Sequence, residues 1–170
     1  LVYTIFIQQV CQALRERGVA HAIVGGYAVA LHGAVRGTMD VDIAIRWNLK
    51  NLQAAETALL NLGLVSLLPI RAKDIFQFRD EYIRNRNLIA WNFYHPDNPA
   101  QQVDIIINYD LTGHKIRTVT TSAGDLKILA LDDLIAMKQE SGREQDLADV
   151  SSLQTIKQRT GKNKTGKTRT

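Results

Sequence analysis

Asp40 and Asp42 are the first residues in the chain whose types and spacing suggest chemistry. They alternate with Met39, Val41, Ile43 and Ile45, and a period of two marks a strand. On a strand both carboxylates point to one face, about 6–7 Å apart along the chain. Two like charges flanked by core residues are costly unless solvated or paired, and a hard divalent cation such as Mg²⁺ resolves that cost. A solvated Asp-x-Asp on an edge strand is the plainer alternative. Asp104 supports the metal reading, because it stands among the branched apolar residues Val103, Ile105, Ile106 and Ile107. If its strand neighbours that of Asp42, three carboxylates converge, the minimum for a two-metal site serving in-line phosphoryl transfer. An Asp at a strand mouth gives the same pattern without chemistry.

The second chemical feature is Gly25-Gly26. It follows an apolar run and precedes a helix-like segment, so free backbone N–H groups and the helix dipole would face an incoming anion. Glycine lets the backbone approach phosphate with no side chain between them. A tight strand-to-helix turn would use the same pair. The four histidines, His21, His32, His95 and His114, are scattered without metal-ligand spacing and receive no role.

The elements that must position these residues follow from periodicity. Residues 4–17 carry Ile7, Val10, Cys11 and Leu14 at helical spacing, with Gly18 as a stop. Residues 19–24 read as a buried strand, 27–32 as a short helix and 38–46 as the strand of the two acids. Asn48 caps a helix carrying Leu52, Ala55, Leu59 and Leu62, ended by Gly63. Residues 64–68 suit an edge strand before Pro69. Residues 74–87 are charged and aromatic and fit either a helix or a strand with a loop. Residues 88–94 and 102–108 form a hairpin about the turn HPDNP, and 115–121 is a further β-branched strand. Residues 131–140 and 144–153 are two helices joined by Ser141-Gly142. The expected architecture is α/β (α+β): a mixed β-sheet flanked by helices and finished by a C-terminal helical hairpin.

Taken together, Gly-Gly, then Arg36-x-Thr38-x-Asp40-x-Asp42, then a third acidic strand resembles the DNA polymerase β-type nucleotidyltransferase superfamily. It looks closest to the abortive-infection nucleotidyltransferases, toxins of type IV toxin–antitoxin pairs, and to small related proteins. Their later motifs, a helical Lys and an Arg-x-x-Asp-x-x-Asp stretch, match Lys138 and Arg143, Asp146 and Asp149. The resemblance covers roughly residues 19–153. It departs at Gly26, where many relatives carry a serine, and in lacking the large C-terminal domain of the longer toxins.

The resemblance implies a nucleotidyltransferase fold and transfer of a nucleoside monophosphate from an NTP to an RNA (a tRNA-like end) or protein acceptor. Asp40, Asp42 and Asp104 would hold Mg²⁺, two ions in all, and Asp104 could take the proton of the attacking hydroxyl. Gly25 and Gly26 would cradle the triphosphate, and Lys138 would offset its charge. Arg143 and Asp146 would act likewise or pin the last two helices together. Arg36 and Thr38 would orient the metal loop or line the site. A toxin would imply an antitoxin-like partner. Two rivals remain: a non-catalytic regulator that binds nucleotide or a partner, and a small-molecule adenylyltransferase that modifies an antibiotic such as an aminoglycoside. An acidic concave acceptor pocket would favour the small molecule; a basic one would favour RNA.

Composition bounds these readings. With 170 residues and 45% hydrophobic content the chain suits one domain, residues 1–156, with a real core. Six of its 21 Lys and Arg lie in residues 157–170, which contain no acid; the remainder has 15 basic and 17 acidic residues. The body is therefore no basic nucleic-acid-binding domain, and the low-complexity tail is expected to be disordered, able to attract RNA only at low specificity. Cys11 is the only cysteine, which excludes an internal disulfide and favours a reducing compartment, the cytoplasm by default. No apolar run approaches the roughly 20 residues of a membrane span, and the first residues do not read as a signal peptide.

Overall fold

The computed structural model describes residues 2–165, with side chains from 6 to 163. Helix α1 (Val2–Glu16) buries Phe6, Ile7, Val10, Cys11 and Leu14, the stripe that the helical spacing predicts. Strand β1 (His21–Val24) is buried throughout and leads directly into helix α2 (Gly25–Leu31). The helix thus starts on the Gly pair itself, two residues earlier than expected. Strand β2 (Val41–Ile45) follows, then helix α3 (Leu49–Asn61), whose cap is Asn48: its side chain accepts from the Asn51 N–H at 2.8 Å. Strand β3 (Val65–Ser66) is an edge strand of two residues.

The ambiguous stretch after Pro69 folds as two short helices, α4 (Ala72–Gln77) and α5 (Arg79–Arg86). Helix α5 buries no residue, so it has no apolar stripe to reveal it in the sequence. Strands β4 (Ala90–His95) and β5 (Asn98–Ile106) form the expected hairpin. A second hairpin joins β6 (Ile116–Thr121) to β7 (Gly124–Leu129). Strand β7 has no counterpart in the sequence reading, because only Leu126 and Ile128 alternate inward there. Its pairing, antiparallel to β6 and parallel to β1 with Ile128 opposite Ile23, makes it a strand. Helices α6 (Leu131–Ser141) and α7 (Glu144–Thr165) close the chain, with Gly142 between them.

The seven strands form one mixed sheet in the order β3-β4-β5-β2-β1-β7-β6. Strands β2 and β5 run parallel, as do β1 and β7; the other neighbours are antiparallel. The C-terminal hairpin is as expected, but its second helix is longer. Residues 157–165 continue α7, where disorder is expected; residues 166–170 lie outside those described. Once a helix is nucleated each further residue adds a hydrogen bond, and Lys157 Nζ bridges to Asp132 of α6 at 2.7 Å, so the Lys-rich segment follows on from the packed part. Among the described residues no helix is long and apolar enough to cross a membrane.

Candidate active site

Pairing register brings the acids together. Across four neighbouring strands Asn92 (β4) stands opposite Asp104 (β5), Asp104 opposite Asp42 (β2), and Asp42 opposite Val24 (β1). One row of the sheet therefore carries Asn92, Asp104, Asp42 and Val24, and the chain turns at Gly25 immediately beyond it. Asp40 lies half-buried just before β2.

The glycines are fixed by what touches them. A Cβ at Gly25 would fall 1.8 Å from Asp42 Oδ2, and the residue's φ of +67° is one that L side chains rarely adopt. A Cβ at Gly26 would meet the Thr38 Cβ at 2.8 Å. Gly25 thus opens onto the carboxylate, whereas Gly26 is buried beneath Thr38.

Electrostatics mark the row as strained. Burial first, then the charges of Asp104 and Asp40, push the Asp42 carboxyl up to about 7, against the pull of Lys138 and Arg143. Burial also raises Asp104, opposed by its hydrogen bond from Asn92 and assisted by the Asp40 charge. Among the described residues no three His, Cys, Asp or Glu side chains form a ready-made metal cage. The donor set nonetheless fits a hard divalent cation: it is all carboxylate oxygen, partly desolvated, and carries negative charge in excess of its neighbours' positive charge.

A cleft of about 550 Å³ opens over this row. Gly25, Asp42 and Asp104 lie on its lining, and so do Lys138, Arg143 and Asp146 from the C-terminal hairpin. Asp40, Gly26, Arg36 and Thr38 do not, although the charge of Asp40 reaches both Asp42 and Asp104. Arg36 Nε donates to Asp149 Oδ1 at 3.0 Å, tying the loop before β2 to α7. The Thr38 hydroxyl lies 3.5 Å from the Asp40 carbonyl oxygen.

The basic groups of the hairpin are already engaged. Lys138 is buried, and its Nζ donates to Asp146 Oδ1 and Asp149 Oδ2, both at 3.0 Å. Arg143 Nε donates to Asp146 Oδ2 at 2.7 Å and its Nη2 to Asp146 Oδ1 at 3.5 Å, but its side chain is 68% exposed and lines the cleft. Burial would raise the Asp146 carboxyl; the hydrogen bonds from Arg143, Ser141 and Lys138 outweigh it and hold it well below the usual range. Asp146 and Asp149 therefore pin α6, α7 and the Arg36 loop together through buried ion pairs.

Several solved structures share this architecture. An antigenic nucleotidyltransferase-like protein from Paracoccidioides brasiliensis superposes with a TM-score of 0.55 at 19% identity, over 86% of this chain and 72% of its own. ANT(2")-Ia in complex with adenylyl-2"-tobramycin gives 0.57 at 12% identity, over 91% and 89%. The lincosamide antibiotic adenylyltransferase LnuA with lincomycin bound gives 0.52 at 15%, over 84% and 90%. The chain has the nucleotidyltransferase fold. No protein-family model matches the sequence, and no curated protein matches it.

Within the nucleotidyltransferase fold, the site has members that sequence reasoning missed. Asn92 Nδ2 donates to Asp104 Oδ1 at 2.6 Å, and Asn87, Asn108, Tyr109 and Glu140 line the cleft. The Tyr109 hydroxyl is buried without a hydrogen-bond partner among the described residues. Asn92 becomes visible only when the β4–β5 register is known. Glu140 follows Met137 by three residues, so the two share a helix face, a weak signal in isolation.

Proposed function

We propose that this chain transfers a nucleoside monophosphate from an NTP to a hydroxyl group, releasing pyrophosphate. The observation that carries the proposal is the register pair Asp42–Asp104 with Gly25 closed against Asp42, at the foot of a cleft large enough for a nucleotide.

Asp40, Asp42 and Asp104 would hold Mg²⁺, which when bound would neutralise the charge of the phosphates. The α2 N-terminus and the Gly25 backbone receive the triphosphate where no side chain intervenes. Arg143, largely exposed on the cleft lining, pairs with phosphate oxygens; Lys138, committed to two carboxylates, stiffens the wall beside it. The acceptor oxygen bonds to the α-phosphorus, and the bond from that phosphorus to the α,β-bridging oxygen breaks. The hydroxyl proton passes to the Asp104 carboxylate, whose raised affinity for protons suits that task.

The acceptor side of the cleft favours a small, hydroxylated and cationic molecule. Glu140 and the neutral hydrogen-bonding groups of Asn87, Asn108 and Tyr109 line it, and both cations of the lining already bond Asp146. Two structures of the same fold are by name an antibiotic-resistance factor, ANT(2")-Ia, and a lincosamide antibiotic adenylyltransferase, LnuA, which supports this reading by analogy of fold alone. A tRNA-like acceptor is the second reading, favoured by the exposed Lys157 and Arg159 on the outer part of α7.

The test uses α-labelled NTPs, one at a time, with Mg²⁺ and either a panel of aminocyclitol and lincosamide-type molecules or total tRNA and lysate protein. Label in the small-molecule fraction, lost in Asp42→Ala, is the expected result. Label only in RNA or protein would replace the small acceptor by the second reading. Mg²⁺-dependent NTP binding without transfer would make the chain a regulator, and no binding at all would leave only the fold.

A further inference from the structure

Asp104, on β5, is held by a side chain of the neighbouring strand β4. Among the described residues it takes part in one hydrogen bond, from Asn92 Nδ2 to its Oδ1 at 2.6 Å, and its other oxygen accepts none. The donor is unambiguous chemically: a carboxylate oxygen can accept only from the amide nitrogen, so the Asn92 amide must present NH₂ to it. The two residues are direct cross-strand partners, where side chains stand nearest and pairs interact most strongly.

The backbone beneath Asn92 is held independently of its side chain. Its carbonyl accepts from the Leu67 N–H at 2.9 Å, extending the β3–β4 pairing, while buried Trp91 and Phe93 on either side anchor the strand in the core. The Trp91 indole N–H also donates to the Ser66 hydroxyl at 2.8 Å. A change of the Asn92 side chain thus removes a donor and leaves the strand in place.

We propose that Asn92 is a positioning residue: through its amide it fixes one oxygen of Asp104 and thereby orients the other toward the cation and acceptor hydroxyl that the proposed reaction places beside Asp42. This rests on the function proposed above. A neutral donor meets the requirement where the alternatives do not. An acid at position 92 would add a third negative charge to the row, and a Lys or Arg would neutralise Asp104 by direct pairing. An amide satisfies one lone pair and leaves the charge available. Outer groups that orient metal-binding carboxylates commonly change cation affinity by about 10–100-fold when removed.

The test measures Mn²⁺ binding to the nucleotide-free protein by the loss of the free-ion electron paramagnetic resonance signal, beside thermal melting and NMP transfer. Asn92→Leu, nearly equal in size and without a donor, is expected to weaken Mn²⁺ about tenfold or more. Its melting temperature should stay near that of the wild type. Transfer should fall in kcat while the acceptor KM stays constant. Asn92→Gln, which keeps the amide, should recover most of the Mn²⁺ affinity. Should Asn92→Leu melt early, Asn92→Ser, too short to reach Asp104, carries the same comparison. Wild-type Mn²⁺ affinity in the donor-less variants, or no rescue by Asn92→Gln, overturns the role. A wild type that binds no Mn²⁺ sinks the proposed function itself and the positioning role with it, a result read before any variant is made.

Discussion

At the scale of single residues, Asp42 makes the most quantitative demand on the protein. Its carboxyl is pushed from 3.8 up to about 7 by burial and by Asp104 and Asp40. A raised folded-state value means that the stabilising contribution is fully present below pH ~4, the unfolded value, and is lost as pH rises through about 7. At about 1.4 kcal/mol per unit the ceiling is roughly 4 kcal/mol. Metal-free protein should therefore melt at progressively lower temperature between pH 4 and 8. Asp42→Asn should flatten that slope and raise the melting temperature at pH 8 while abolishing transfer. Added Mn²⁺ should recover the loss in the wild type alone. Differential scanning calorimetry across pH checks all three. Asp146, held low, loses its contribution only in strong acid and does not overlap this window. Gly25→Ala tests the other side of the contact. A methyl 1.8 Å from Asp42 Oδ2 at φ +67° must displace the carboxylate, and about an ångström of displacement in such a site costs on the order of 100-fold in kcat. The left-handed backbone adds about 1–2 kcal/mol of lost stability in a urea melt.

At the scale of elements, the ion pairs between α6, α7 and the loop before β2 differ sharply in worth. Asp149 is buried beneath both Lys138 and Arg36. Asp149→Ala would take from the buried Lys138 ammonium one of its two carboxylates and from Arg36 its Nε acceptor, and breaking a buried pair costs about 3–5 kcal/mol. The Lys157–Asp132 pair joins side chains 58% and 73% exposed, so Lys157→Ala should cost under about 1 kcal/mol in the same urea titration. The elements also show what the sequence conveys. The alternation around Asp40 and Asp42 and the stripe of α1 were legible because each has a buried and an open side. Strand β7 was not, since two inward residues are too few for periodicity, and β1 and β6 supply its definition. Helix α5 hid for the opposite reason, having no buried residue at all. The candidate site divides in the same way. Three acids and a glycine pair stand out by type, whereas Asn92, Asn108 and Tyr109 are ordinary residues until register and the cleft give them neighbours.

At the scale of the whole molecule, the basic end of the chain continues the outer part of α7, while the acid-lined cleft takes only Asp146 from the first turn of that helix, so the two can be tested apart. Deleting residues 157–170 removes six cations, among them Lys157 with its exposed ion pair to Asp132. The truncated protein should melt within about 1 kcal/mol of the full chain and keep transfer to a small acceptor. Loss of transfer on truncation, with melting unchanged, would instead assign the acceptor to RNA. The separation also explains why net charge misleads: +4 for the chain describes its end, not the surface where a substrate would sit.

Strand β1 lies between β2 and β7, and that placement bears on how the protein comes into being. A chain growing from its N-terminus has produced Gly25, Asp40, Asp42 and Asp104 before any of β7, Lys138 or Arg143 exists. Until the ribosome has made residues 124–143, β1 presents an open edge, and Asp42 lacks the two cations that oppose its neighbours' repulsion. An interrupted nascent chain is then a candidate for edge-to-edge aggregation rather than a partly working site.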